Sequence, residues 1–208
     1  MSPSRSYRSE LRERQAERTR TLIAEAARAR FLEKGWAGTS VRSVAEGAGV
    51  SEATVYNVYG SKAGLAGSLI DAAEQGADVR RAVAEPEQRA GDPLGQLRAF
   101  VAFDRRLYER AGDVLRILGE GRRQHPELGA AYDEGRRRGD AQRRQAFGSW
   151  PAATWLPGVD VDRAVAVYGV LVSLESFAVA THDYGWTPDQ VEVWWHETLA
   201  GQLLRASP

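Results

Sequence analysis

TSVRSVAEGAGVSEATVYNVYGSK, residues 39–62, reads as two short helices joined by a glycine-bearing turn. Thr39 is expected to cap the first helix, with Val41, Val44 and Ala45 as one small apolar face at helical spacing. Gly47 and Gly49 flank Ala48 and stop that helix, because glycine accepts the left-handed backbone a helix end needs. Val50 supplies an apolar plug for the angle between the helices. Ser51 then caps the second helix, with Thr54 three residues on and Glu52 near the positive end of the dipole. This is the layout of a helix-turn-helix, whose second helix enters the major groove of DNA.

Outward from that stretch the pattern stays helical. A helix over residues 17–34 is predicted from Ile23, Ala27 and Phe31 at i, i+4 and i+8; Gly35 closes it, and Trp36 is expected to pack on the small core. Residues 1–16 are polar, with Arg5, Arg8, Arg12 and Arg14, and are expected to be a flexible arm. The arm is either a solvated tail or a segment that follows the DNA backbone or enters the minor groove. A connecting helix is predicted over 61–83 and a loop over 84–93. Asp92 and Pro93 open a helix to about residue 110, and a shorter one is expected over 114–124. After His125-Pro126 come a helix over 126–148, a loop with Trp150 and Trp155, a strongly apolar helix over 160–183 and a last helix opened by Thr187-Pro188-Asp189. The expectation is an all-α chain of about nine helices: an arm (1–16), a three-helix helix-turn-helix DNA-binding domain (17–63) and a larger helical ligand-binding and dimerisation domain (64–208).

Composition narrows the function. The chain has no cysteine, which excludes a disulfide framework and thiolate metal sites. The opening residues hold no apolar stretch of a secretory signal, and no run of about 18 apolar residues suggests a membrane span, so a soluble, cytoplasmic protein is expected. The formal net charge is zero, yet residues 1–62 carry 11 Lys and Arg against 7 Asp and Glu, and the remainder 17 against 21. A basic head on an acidic body suits a protein that presents one end to phosphates. His182-Asp183 with His196 is the one cluster resembling a metal or acid–base site, without tight ligand spacing. No glycine-rich phosphate loop or G-x-S-x-G is present. An enzyme is not expected, nor a metal or cofactor.

Residues 18–67 resemble the N-terminal DNA-binding domain of the TetR family of bacterial transcriptional regulators. The resemblance rests on Phe31 and Gly35, Thr39-Ser40-Val41, Ala45 with Ala48-Gly49-Val50-Ser51, Tyr56 with Tyr59, and Ser61-Lys62. Ala53 stands where Gly is usual, Val58 where His is common and Tyr59 where Phe is common; these departures touch the operator sequence, not the fold. The resemblance implies a homodimeric repressor on a palindromic operator, released by a mostly apolar small-molecule effector. The alternative is a ligand-activated or ligand-independent regulator working through a protein partner.

Base readout is expected from Glu52, Ala53 and Thr54, with Asn57 reaching a base or sugar and Arg42 a guanine edge or a phosphate. By resemblance Tyr56 and Lys62 bind phosphates, and so does Thr39 through its hydroxyl or amide; Ser51 is a cap first and a DNA contact second. The family places an effector pocket in the body, for which Phe103, Leu107, Leu118, Trp150, Trp155, Tyr168 and Leu171 are candidates. Glu175, on an apolar helix, is read as a buried carboxylate that meets either the ligand or an arginine across the dimer. The last two helices are expected to pair into a four-helix bundle through Leu174, Phe177, Trp194, Trp195 and Leu199. The arginine-rich run over 119–144 is expected to be a solvated face. Ligand binding would tilt the connecting helix and change the separation of the two recognition helices.

Overall fold

Arg, Glu, Gln, Ala and Leu, all strong helix formers, fill the chain ahead of Ile23 without a breaker, and they carry the first helix, α1 (Arg5–Gly38), back through most of the segment expected as a flexible arm. Arg20 with Glu17 and Arg30 with Glu33 add pairs three residues apart. The computed structural model describes residues 5–76, 91–122 and 125–205, and the chain is all-α there, with nine α-helices and no strand among the described residues. Near its end α1 breaks at Gly35, whose φ of 64° lies in the left-handed region glycine tolerates.

The expected cap is one residue off. Thr39 is buried, and its hydroxyl donates to the carbonyls of Gly35 (2.8 Å) and Arg30 (2.9 Å), tying off the end of α1. Ser40 is the cap of α2 (Val41–Ala48), in a reciprocal pair with Ser43. Gly49 closes α2 with φ 67° and ψ 33°, and Ser51 caps α3 (Glu52–Tyr59). The connecting helix α4 spans Lys62–Gly76; residues 77–83 of the expected helix, and the expected loop up to residue 90, lie outside the described residues.

In the body two expectations about helix breaks are corrected. Residues 93–121 form one helix, α5 (Pro93–Gly121), capped by Asp92, where two were expected. Gly112 in its middle is a close-approach site: a Cβ there would stand 3.2 Å from Leu174 Cδ1. Conversely, the single apolar helix expected over 160–183 is three pieces: α7 (Val161–Leu171), α8 (Leu174–Ala178) and a π turn, Val179–Asp183. Ser173 and Ser176 form a capping box that restarts the helix after Val172 leaves helical geometry (ψ 76°). Length and composition alone would let Val161–Asp183 cross a membrane, but this break interrupts it, and Tyr168, Phe177 and Ala180 bury their sides in the body. Between them α6 (Pro126–Gly148) and a 3₁₀ turn (Ala152–Thr154) lead into α7; α9 (Pro188–Leu203), capped by Thr187 with Pro188 at its first position, closes the fold.

Two cores result. The first joins Ile23, Phe31, Val44 and Val55 of the head to Leu65 of α4 and to Val114, Leu118 and Leu128 of α5 and α6, so the head's core crosses residue 63 into the body. The second gathers Leu97, Phe147, Trp150, Tyr168, Trp195 and Leu199. Each such fully buried side chain contributes about 1.5–3 kcal/mol.

Candidate DNA-binding face

The recognition helix is held by one anchor and two caps. Val55 buries itself in the head core. At the N-terminus Ser51 Oγ accepts the Thr54 N–H at 3.1 Å and pairs with its hydroxyl at 2.8 Å; at the C-terminus the Gly60 N–H bonds the Tyr56 carbonyl. With Val55 turned in, Glu52, Ala53 and Asn57 stand exposed, Tyr56 is 49% exposed, and Thr54 is half-buried at the flank. Tyr59 turns inward, its hydroxyl donating to the Arg20 carbonyl at 3.2 Å, and burial pushes its phenol pKa up.

Other expected contacts fall differently. Arg42 is exposed on α2 and pairs with Glu46 at 3.1 Å; an exposed pair is worth little, so its guanidinium can trade that carboxylate for a phosphate. Lys62 is not a free cation: Nζ donates to the Trp36 carbonyl at 2.5 Å and lies 4.2 Å from the Trp36 ring centroid, sealing the end of α1 to the start of α4. Thr39 is a lock on α1, as described above. Both residues tie the motif to α1.

The body candidates pack on one another. Trp150 stacks on Trp155 with centroids 5.0 Å apart, Phe147 contacts both, and Tyr168 lies against Phe147. Leu107 is buried, Phe103 and Leu171 are half-buried, and Leu118 belongs to the head-side core rather than to this group. Glu175 is exposed in the first turn of α8, which corrects its reading as a buried carboxylate.

The buried carboxylate is Asp104, unnoticed in the sequence. Its Oδ2 accepts from Arg143 Nη2 at 2.6 Å and from the Tyr168 hydroxyl at 2.7 Å, and the Arg143 guanidinium sits 4.4 Å from the Tyr168 ring centroid. Burial works against the Arg143 charge, but Asp104 and the neighbouring tyrosines outweigh it and hold its pKa above the usual value. Burial, and then the Asp104 charge, push the phenols of Tyr108 and Tyr168 up. Arg143 thus departs from the solvated face expected for its run. Two signals existed: Asp104 continues the stripe of Leu97, Val101 and Leu107 on α5, and Arg143 stands four residues before the buried Phe147.

The residues expected at a dimer contact lie largely inside the chain. Trp195 and Leu199 are fully buried in the chain's own core and Phe177 nearly so, while Leu174 and Trp194 are half-buried. Val170 (77% exposed), Val179, Tyr184, Trp186 and Val193 are the large apolar side chains that α7–α9 leave outside. A link from head to body was also missed: the Arg28 guanidinium donates to both Asp113 oxygens (2.8 and 2.9 Å) and to the Arg110 carbonyl (2.7 Å).

Residues 23–69 match the family model described as bacterial regulatory proteins, tetR family. Over 87 residues the chain is 35% identical to the HTH-type transcriptional regulator TtgR of Pseudomonas putida, a match covering 42% of this chain and 41% of that protein. The chain therefore spans about two-fifths of the curated relatives it matches. NalD from Pseudomonas aeruginosa, the secondary repressor of the MexAB-OprM multidrug efflux pump, superposes with a TM-score of 0.73 at 22% identity, covering 92% of this chain and 100% of that one. The transcriptional regulator FadR from Bacillus subtilis, solved in complex with stearoyl-CoA, gives a TM-score of 0.68 at 18% identity, over 86% of this chain and 97% of that one. Identities this low carry the fold, while the family match lies on the capped, outward-facing motif. Residues 23–69 thus match the helix-turn-helix domain of the tetR family of bacterial regulatory proteins, and the chain around them shares the all-α fold of those solved structures.

Proposed function

We propose that this chain is a DNA-binding transcriptional regulator, a homodimeric repressor whose two α3 helices read the half-sites of a palindromic operator until a mostly apolar small molecule releases it. The observation that carries this reading is α3 itself: anchored by Val55, capped at both ends, and exposing Glu52, Ala53, Tyr56 and Asn57. Glu52 suits a cytosine amine, and Ala53 and the Thr54 methyl suit a thymine methyl. Asn57 reaches a base or sugar, and Tyr56 and Arg42 take phosphates. A DNA partner of this kind implies a cytoplasmic protein.

One recognition helix spans only a few base pairs, so specificity calls for two copies. The apolar side chains that α7–α9 leave exposed, Val170 and Val193 among them, support a two-fold interface there. Release by a ligand is supported by the shared core of head and body. A shift of α5 in the body would reach the head through Val114, Leu118 and the Arg28–Asp113 pair, with coupling of about 1–3 kcal/mol typical for such switches. The aromatic interior, and the stearoyl-CoA held by FadR in the same fold, support an apolar effector. The stacking of Trp150 on Trp155 favours a second reading, a ligand-independent regulator acting through a protein partner.

The test is binding of the purified chain to genomic fragments, its own upstream DNA first, across a salt series. Tight, salt-dependent binding that weakens at least about tenfold in Asn57→Ala or Tyr56→Ala is expected, in line with ~1–3 kcal/mol per lost base contact. Failure to retain any fragment at low salt sinks the reading.

A further inference from the structure

We propose that the N-terminal turns of α1 are part of the DNA-binding surface: with α3 they form a cleft that takes a phosphodiester of the operator strand flanking the groove α3 reads, held by Arg12 and Arg20. The proposal rests on the DNA-binding reading above and extends it to a helix face that the helix-turn-helix motif does not contain.

The cleft has a volume of about 320 Å³ and is lined by Arg12, Gln15, Ala16, Thr19 and Arg20 of α1 and by Thr54 and Val58 of α3. It exists because α1 continues for about five turns ahead of Ile23, and the stretch from Arg12 to Arg20 faces the recognition helix. Thr54 and Val58, four residues apart, lie on one side of α3, and the Tyr59 hydroxyl bonded to the Arg20 carbonyl fastens the two helices at the inner end. The cleft therefore opens within one turn of Glu52, Ala53 and Asn57.

Its chemistry selects a phosphodiester. The walls carry two guanidiniums, two hydroxyls and an amide. Arg12 is exposed and has no ion pair among the described residues; Arg20 is held only by an exposed pair with Glu17 at 3.2 Å. Arginine forks match phosphate oxygens, and an exposed carboxylate partner is readily exchanged for one. The occupant follows from scale. A helix with side chains is about 10–12 Å across and the major groove about 12 Å wide, so a helix lying in it has a sugar-phosphate strand along each flank. The strand on the Thr54 and Val58 side runs past α1.

The experiment uses the full chain and a duplex carrying its selected operator, with affinity followed by fluorescence anisotropy from 50 to 200 mM salt. Arg12→Ala/Arg20→Ala changes two exposed side chains, and a circular dichroism melt checks that the fold persists. Each neutralised phosphate contributes about 0.9 to the slope of log K against log salt, so the double variant should flatten it by about 0.9 per protomer and weaken low-salt binding at least tenfold. Arg12→Lys/Arg20→Lys should recover most of the slope. A single neutral methylphosphonate in the flanking strand should weaken the wild-type chain and leave the double alanine variant unaffected at that position. Unchanged affinity and slope in the double alanine variant, with Asn57→Ala still weakening binding, would overturn the cleft and leave α3 readout standing. A loss of affinity with an unchanged slope also overturns it. Absence of wild-type binding to any DNA overturns both.

Discussion

Head and body satisfy their polar groups over different distances along the chain. In the head, Ser40 bonds Ser43, Ser51 bonds Thr54 and Arg42 bonds Glu46, three or four residues apart, while Tyr59 and Lys62 reach back to α1 across 39 and 26 residues. In the body, Arg143 reaches Asp104 across 39 residues, Trp150 donates to Gln96 across 54, Tyr168 reaches Asp104 across 64 and Arg105 meets Glu192 across 87. A motif that must dock on DNA is shaped mainly by local caps, whereas a body with several helix layers is tied together by side chains that only the finished fold brings near. The two regions should therefore answer mutation differently.

The largest effect belongs to the body. Asp104 and Arg143 have side chains only 4% and 12% exposed, so Asp104→Ala leaves a buried guanidinium without its main counter-ion, with Asp140 at 3.3 Å the remaining carboxylate. Such a loss costs about 3–5 kcal/mol, measured by urea unfolding. Arg143→Met should be similarly harmful, while the double variant Asp104→Leu/Arg143→Met should recover most of the stability, because an apolar pair needs no charge compensation. Additive single and double losses would show that the pair is not a unit.

The head should respond less to the loss of any one polar group. Ser51→Ala removes one cap and costs about 1 kcal/mol of stability, yet should weaken operator binding by more than its stability effect if the first turn of α3 carries the readout as proposed. Gly49→Ala, at φ 67°, costs about 1–2 kcal/mol by forcing a Cβ into the left-handed region. A Ser51→Ala loss as large as that of Asp104→Ala would erase the contrast between the regions.

The same contrast explains what is legible in the sequence. Gly49, Ser51 and the outward set on α3 follow from residues within one turn of each other. Thr39 and Ser40 are both good caps, so the expectation falls one position off; the carbonyls of Arg30 and Gly35, which decide between them, belong to another helix. Glu175 and Asp104 look alike in sequence, each a carboxylate amid apolar residues, and only tertiary neighbours make one exposed and the other buried. The break at Val172–Ser173 is legible in part, since Ser173 and Ser176 have capping-box spacing, but the apolar run around them masks the signal.

Between the regions, the Arg28–Asp113 tie should matter more for coupling than for stability. Its side chains are 44% and 30% exposed, so Arg28→Ala should cost no more than about 1 kcal/mol. If body and head communicate through α5, the variant should keep operator affinity within a few-fold while reducing the release caused by any effector found by screening. Undiminished release would route the coupling through the Val114 and Leu118 core contacts or through α4 instead.

The smallest effect is a pH dependence that belongs to the body. His196 on α9 has its Nε2 buried without a hydrogen-bond partner among the described residues. Burial lowers its pKa below the usual 6.5, and Arg98 on α5 lowers it further; the Leu94 backbone of α5 and Glu197 and Glu192 on its own helix pull the other way without reversing the shift. Between the folded value and 6.5 the unfolded chain binds more protons than the folded one, so stability rises with pH in that window and is lost as pH falls from about 6.5. The melting temperature should therefore drop between pH 7 and 5.5 more steeply in the wild-type chain than in His196→Gln. Parallel curves would mean that water reaches the ring and that the α5–α9 contact is looser than the rest of the body core.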